Sequence, residues 1–140
     1  MTARFGSVDD LLADARSRLD RVSTDDIASL REDGVLLVDI RPGWQRAVTG
    51  EIDGALVVER NHLEWRLHPE SDARLPQATP GQRWVVVCSE GYTSSLAADA
   101  LNSIGVPATD LIGGIEAWID AGLDVVPGVT PPNALVHRTR

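Results

Sequence analysis

An α/β domain of three layers, with a mostly parallel central sheet between two layers of helices and an extra helix at the amino terminus, is the fold class the sequence predicts. Two observations predict it. Short apolar runs at residues 35–40, 55–58, 84–88 and 108–112 are rich in β-branched side chains, too short for helices, and mostly continuous rather than alternating, as strands buried on both faces are. Between them lie segments of helical spacing opened by capping signals and closed by glycine. Strands alternating with helices imply a parallel sheet covered on both faces, whose ligands sit where strand ends meet helix starts.

Each element has its own signal. Ser7 with Asp10 has the form of a capping box, and Val8, Leu11, Leu12, Ala15 and Leu19 keep helical spacing behind it, which predicts an amphipathic helix over 8–19. Thr24, Asp25 and Asp26 open a second, short helix carrying Ile27 and Leu30, and Gly34 is placed to stop it. VLLVDI at 35–40 is the first strand; Pro42 ends it and can open another helix. Gly50 and Gly54 bracket a loop before the strand at 55–58, and Asn61 with Glu64 again has capping-box spacing. RLPQATPGQR at 74–83 is a surface connection punctuated by Pro and Gly, leading into WVVVC, a strand that ends at Cys88. Leu96, Ala97, Ala100, Leu101 and Ile104 share one helical face beyond it, closed by Gly105 and Pro107. A last strand at 108–112, a turn at Gly113 and Gly114, and a helix at 115–121 closed by Gly122 complete the alternation. The expected organisation is an N-terminal helical extension over 1–21, one domain over 22–127 and a C-terminal tail over 128–140.

Composition narrows the chemistry. A net charge of −8 opposes nucleic acid and anionic membrane surfaces, which bind clustered basic side chains. All thirteen basic residues are Arg, so no lysine Schiff base and no P-loop lysine is available. No apolar run approaches the eighteen or so residues of a membrane span. A lone cysteine cannot close an intrachain disulfide, and the start MTARFGSVDD has no apolar signal core, so a reducing cytoplasm is the expected compartment. One cysteine with three scattered histidines offers no metal-ligand spacing, and no metal is expected.

Cys88 is where chemistry is expected. It ends a buried strand directly before a helix, so the intervening loop can turn backbone N–H groups toward the sulfur as a cradle for an anion. The thiolate is the reactive form of a cysteine, and a helix N-terminus favours it. By itself, a cysteine finishing a VVVC run is also an ordinary small buried hydrophobe; the residues after it decide between the two.

VDIR at 38–41, GEIDGA at 50–55, VVVCSEGYTSSLAADAL at 85–101 and LIGGIEAW at 111–118 stand in the order found in the rhodanese family of sulfurtransferases, which the chain resembles over residues 22–127. In that family a cysteine opens a six-residue loop ahead of a helix, takes a sulfur from a donor and passes it to a nucleophilic acceptor. The resemblance gives that role to Cys88. The loop Cys88, Ser89, Glu90, Gly91, Tyr92, Thr93 is similar to the C-x-x-G-V-T loops of thiosulfate and mercaptopyruvate sulfurtransferases, with Gly91 supplying backbone freedom and the N–H groups from Ser89 to Ser94 expected to stabilise a persulfide. Thiosulfate users often carry a basic side chain in this loop, where this chain has Glu90. Within about 5 Å of a donor that carboxylate would cost on the order of 1 to 3 kcal/mol per charge.

The resemblance implies a structural role for Asp39 and Arg41, tying a strand end to its loops by charge-assisted hydrogen bonds. Arg46 is a candidate substrate clamp, since some family members place an anion-binding arginine near that position, and Arg60 follows a strand on the crevice side, where it is expected equally as a second clamp or as a partner in a surface ion pair. Trp44 and Trp65 are expected to complete the core rather than wall the pocket mouth. His62 and His68 are expected at exposed helix and turn positions, away from any role as a base.

The implied activity needs no cofactor. Its partners are a small sulfur donor with a thiol or cyanide acceptor, or a sulfur-donating protein that loads Cys88; nucleic acid and membrane are not expected, and monomer and homodimer both stay open. Two rivals remain. A cysteine phosphatase of this fold uses C-x5-R, but Ser94 stands where the arginine would be. A regulatory module without turnover is the other, a use the family makes of domains that have lost the cysteine.

Overall fold

Four strands are built from the apolar runs: β1 (Leu36–Asp39), β2 (Leu56–Val57), β3 (Trp84–Val87) and β4 (Ala108–Asp110). They pair in the order β2-β1-β3-β4, every pair parallel, with Val38 opposite both Leu56 and Val86, and Val86 opposite Asp110. The structure, a computed structural model, describes residues 2–128. Beyond Gly128 the tail expected over 128–140 lies outside the described residues.

Side chains alternate across a strand, and the two faces of β3 feed two cores. Trp84 and Val86 pack with Val38, with Leu63 and Leu67 of α4 (Leu63–Leu67), and with Ala97 and Leu101 of α5 (Thr93–Ser103). Val85 and Val87 pack with Leu37, with Ile27 of α2 (Ile27–Glu32), and with Ile115 and Trp118 of α6 (Gly114–Asp120). Burial on both faces explains why these strands read as continuous apolar runs. The three-layer α/β architecture with a parallel sheet is the one the sequence predicts.

Several boundaries differ from expectation. The first helix, α1 (Val8–Arg16), opens on the Ser7 cap and stops short of Leu19, because Ser17 Oγ donates to the Asp14 carbonyl and the chain tightens into turns. β2 shrinks to two residues because it is an edge strand paired only with β1. Asn61 and Glu64 form no capping box: a 3-10 turn over Arg60–His62 leads into α4, and Glu64 binds Arg60 instead. Helix α4 ends at once because His68 precedes Pro69 and takes an extended backbone. On α5, Ala98 joins the buried face, while Ile104 at its end is exposed.

The expectation that Trp44 and Trp65 complete the core is overturned. Trp44, on α3 (Gly43–Thr49), is 69% exposed and Trp65, on α4, is 60% exposed. The residues that α3 and α4 bury are instead Arg46, Leu63, Arg66 and Leu67. Two arginines took positions that size and apolarity would have given to tryptophans, because Arg46 finds the Glu51 carboxylate and Arg66 the Ala73 carbonyl inside.

Helix α1 packs on α5, and Arg18 just beyond it reaches both Asp14 and Asp99 at 2.7 Å. Hydrogen bonds from this guanidinium hold the Asp14 and Asp99 carboxyls below the usual carboxylate range. The chain then returns through Val22, which bridges in parallel to Leu111 at the edge of β4. From β1 the chain moves outward to β2, then crosses to β3 on the opposite side of β1. The carboxyl ends of β1 and β3 therefore send their loops apart and leave a crevice, the usual ligand position in an open parallel sheet.

Candidate active site

Cys88 follows the last residue of β3 at that crevice and is 4% exposed. A cavity of about 360 Å³ opens above it. Ile40, Arg41, Pro42 and Gln45 line it from the β1 side and Arg60 from beyond β2, while Cys88, Ser89, Glu90, Tyr92 and Thr93 form the rest of its wall. Gly91 turns the loop with φ +85° and donates its backbone N–H to Cys88 Sγ at 3.2 Å. Helix α5 starts two residues later, so the N–H groups at its entrance, at Thr93 and Ser94, stand beside the same loop with no carbonyl of their own helix to receive them.

The loop is braced from below. Ile115 and Glu116, in the first turn of α6, donate their N–H groups to the carbonyls of Cys88 at 2.8 Å and Ser89 at 3.1 Å. These carbonyls cap α6, and turning them toward that helix leaves the N–H side of the loop available to the sulfur. The contact needs Gly114, at φ +59°, whose added Cβ would meet the Cys88 carbonyl oxygen at 2.3 Å and the Ser89 carbonyl carbon at 2.7 Å. Gly114→Ala is expected to cost about 2 to 4 kcal/mol, from left-handed strain plus overpacking against backbone that cannot yield. Gly105→Ala, at φ +83° with open space around it, should cost only about 1 kcal/mol. Denaturant midpoints of the two variants check the difference.

Beside the cavity lies a buried ion pair. Arg41 Nη2 meets Asp39 Oδ2 at 2.7 Å, and Arg41 Nε meets Asp39 Oδ1 at 3.0 Å; the remaining donors of Arg41 hold Thr49 Oγ1 at 2.6 Å and the Gly50 carbonyl at 2.8 Å. Ser89 Oγ donates to Gln45 Oε1 at 2.9 Å across the mouth. Arg60 lines the cavity while paired to Glu64 at 2.8 Å, and Glu90 stands exposed at the rim.

Two expectations about site residues need correction. Arg46 does not reach the cavity: it is 2% exposed, with Nη1 on Glu51 Oε2 at 2.5 Å and Nε on the Arg41 carbonyl at 3.3 Å, so its fork is spent inside the fold. Ser94, grouped with the loop as a substrate contact, turns its buried hydroxyl the other way, to Asp110 Oδ2 at 2.8 Å. His62 and His68 are half-buried rather than exposed, and neither lines the cavity.

Sequence reasoning missed the hub behind the loop. Asp110, fully buried at the end of β4, accepts from Ser94 Oγ and Ser95 Oγ at 2.8 Å and from Arg21 Nε at 2.9 Å. Arg21 Nη2 also reaches the Gly91 carbonyl at 2.9 Å, and Arg16 Nη2 reaches the same oxygen at 2.7 Å. An acid at a strand end facing the crevice was a readable signal for Asp110. Nothing local marked the two arginines.

The family model of the Rhodanese-like domain matches residues 23–121. The chain belongs to the rhodanese family. Two proteins of Zea mays, adenylyltransferase and sulfurtransferase MOCS3-1 and MOCS3-2, are each 34% identical to it over 110 residues, covering 76% of this chain and 22% of theirs. The chain thus spans about a fifth of the length of these curated relatives. A solved structure from Rhodopseudomonas palustris, of a protein of unknown function described as a possible tyrosine phosphatase, superposes with a TM-score of 0.78 at 29% identity, over 90% of this chain and 99% of that one. Thiosulfate sulfurtransferase from Pseudomonas aeruginosa gives a TM-score of 0.66 at 24% identity, over 83% of this chain and 21% of that one, a likeness of fold. Rhodanese membership supports sulfur transfer at the level of the family.

Proposed function

We propose that this rhodanese domain moves sulfane sulfur through a persulfide on Cys88. The observation that carries this reading is the placement of the lone cysteine's sulfur at the floor of an open cavity, with the Gly91 N–H already on Sγ at 3.2 Å. The Cys88 thiolate attacks the outer sulfur of the donor. With thiosulfate the S–S bond breaks and sulfite leaves with the electron pair; with mercaptopyruvate the C–S bond breaks and the thiol proton ends on carbon as pyruvate. The negative charge then sits on the outer sulfur, where the Gly91 N–H and the first-turn N–H groups of α5 stabilise it. Cyanide or a thiolate attacks that sulfur, the S–S bond of the persulfide breaks, and the Cys88 thiolate returns. No cofactor enters.

The Rhodopseudomonas neighbour raises phosphatase chemistry as the rival. Phosphoryl transfer at a cysteine loop wants a guanidinium fork on the transferring group. Here the position after the loop is Ser94, whose hydroxyl is held by Asp110, while Arg41 and Arg60 are paired to Asp39 and Glu64. Among the described residues no helix is long and apolar enough to cross a membrane. A reducing cytoplasm suits a working thiol, and a sulfur-donating protein is the alternative to a small donor.

Intact mass after incubation with thiosulfate or mercaptopyruvate, and then with cyanide, tests the proposal. The expected result is a gain of one sulfur, about 32 Da, that cyanide removes. Glu90 at the rim disfavours the thiosulfate dianion, so mercaptopyruvate should load faster, and Glu90→Lys should raise thiosulfate loading about tenfold or more at low salt, the gain shrinking as ionic strength rises. No sulfur gain from either donor, together with hydrolysis of p-nitrophenyl phosphate, would turn the assignment to the phosphatase.

A further inference from the structure

We infer that Arg16, outside the segment that matches the family, is a positioning residue of the sulfur site that also supplies it with a positive charge no carboxylate contacts directly. The inference rests on Cys88 being the working sulfur, as proposed above. Arg16 lies in the last turn of α1 and reaches 75 residues along the chain to the Gly91 carbonyl. It donates from Nη2 to that oxygen at 2.7 Å and from Nε to Ser95 Oγ at 3.1 Å, and its guanidinium lies 5.8 Å from the centroid of the Tyr92 ring.

The first consequence concerns geometry. Gly91 has no Cβ and sits at φ +85°, so the peptides on either side of it meet little steric resistance to rotation. In a trans peptide the carbonyl and the following N–H point opposite ways. Holding the Gly91 oxygen with Arg16 and Arg21 fixes the Gly91–Tyr92 peptide, and with it the Tyr92 N–H at the entrance to α5. It also restrains the neighbouring Gly91 N–H that binds Sγ.

The second concerns charge. Arg41 carries Asp39, Arg60 carries Glu64, and Arg21 carries Asp110. Glu90 on the rim opposes an anion, and Tyr92 is neutral as a phenol. Among the described residues Arg16 makes no ion pair, so it is a cation beside the loop that no carboxylate contacts directly. Half-buried behind the Gly91 peptide, it is screened less than a surface charge, and it favours the thiolate and persulfide over their neutral forms.

Because Cys88 is the only cysteine, alkylation by iodoacetamide followed by intact mass on the full chain reports its ionisation without any sulfur donor. Arg16→Met is expected to slow alkylation about three- to tenfold at pH 6.5 and low salt. The gap should narrow in 0.5 M NaCl and close by pH 10, well above the ordinary range of a thiol. Arg16→Lys should restore most of the low-pH rate. Arg18→Met, which removes a nearby cation already matched to Asp14 and Asp99, should react as the wild type does. Should Arg16→Met not fold, Arg16→Gln, which keeps a hydrogen bond and drops the charge, carries the same expectation. Wild-type alkylation at pH 6.5 in Arg16→Met and Arg16→Gln, or a change by one factor at every pH, would overturn the inference. A wild type that takes no sulfur while its alkylation still depends on Arg16 would overturn the proposed function alone.

Discussion

Cys88→Ala and Cys88→Ser are each expected to lose sulfur transfer by at least about a thousandfold, because they remove the nucleophile on which the whole route runs. The chain holds no other cysteine, and a serine or threonine hydroxyl cannot carry a sulfane sulfur, so neither Ser89 nor Thr93 can substitute. The fold should survive. Cys88 belongs to the core beside Val86, Ala97 and Ala98, and losing one sulfur atom there leaves a small void costing about 1 to 2 kcal/mol. Its carbonyl, which caps α6, is backbone and stays in place. Thiocyanate formation and a denaturant midpoint, measured on the same preparations, separate the two effects. Transfer persisting within tenfold of wild type would show that the sulfur travels by another route.

Asp39→Ala is expected to be the most damaging of the fold substitutions, at about 3 to 5 kcal/mol, because it strands the Arg41 charge inside. Arg41 is 1% exposed, and its remaining partners, Thr49 Oγ1 and the Gly50 carbonyl, accept hydrogen bonds without carrying negative charge. Domains of this size are stable by about 5 to 15 kcal/mol, so the change removes from about a fifth to nearly all of the total. Asp39→Ala combined with Arg41→Met should cost less than the sum of the two single changes, since the pair is then removed together. Chemical denaturation of the three variants checks this, and strict additivity would mean that the two side chains do not act as a pair. Arg41 also lines the cavity, so the single variant should lose sulfur transfer with its stability.

What was legible in the sequence came from local signals. The strands announced themselves as short, mostly apolar runs, most clearly at β3, where Trp84 to Val87 are buried on both faces and apolar at every position, and the Cys88 loop was visible because a glycine three residues after a strand-ending cysteine lets the chain turn ahead of a helix. Boundaries slipped where partners set them, as at β2, whose length depends on β1, and at α4, where Arg60 claimed Glu64. Trp44 and Trp65 were misplaced because hydrophobic size favours burial, while a buried arginine is invisible until its acceptor is known. Glu51 and the Ala73 carbonyl supplied those acceptors for Arg46 and Arg66.

The sequence by itself determined the family, the parallel α/β fold, and the position of the one cysteine at a strand end, since each of these is written in a contiguous pattern or in a residue that occurs once. Only the tertiary structure decided which charged side chains brace the Cys88 loop. Arg46, a few positions beyond the Asp39–Arg41 pair, turned inward to Glu51, while Arg16 and Arg21 arrived from 75 and 70 residues away to hold the Gly91 carbonyl. Hydrogen bonds reach only about 3 Å, so a contact between residues so far apart in the chain exists only once α1 has docked on α5 and β4 has placed Asp110. No spacing along the chain encodes that event.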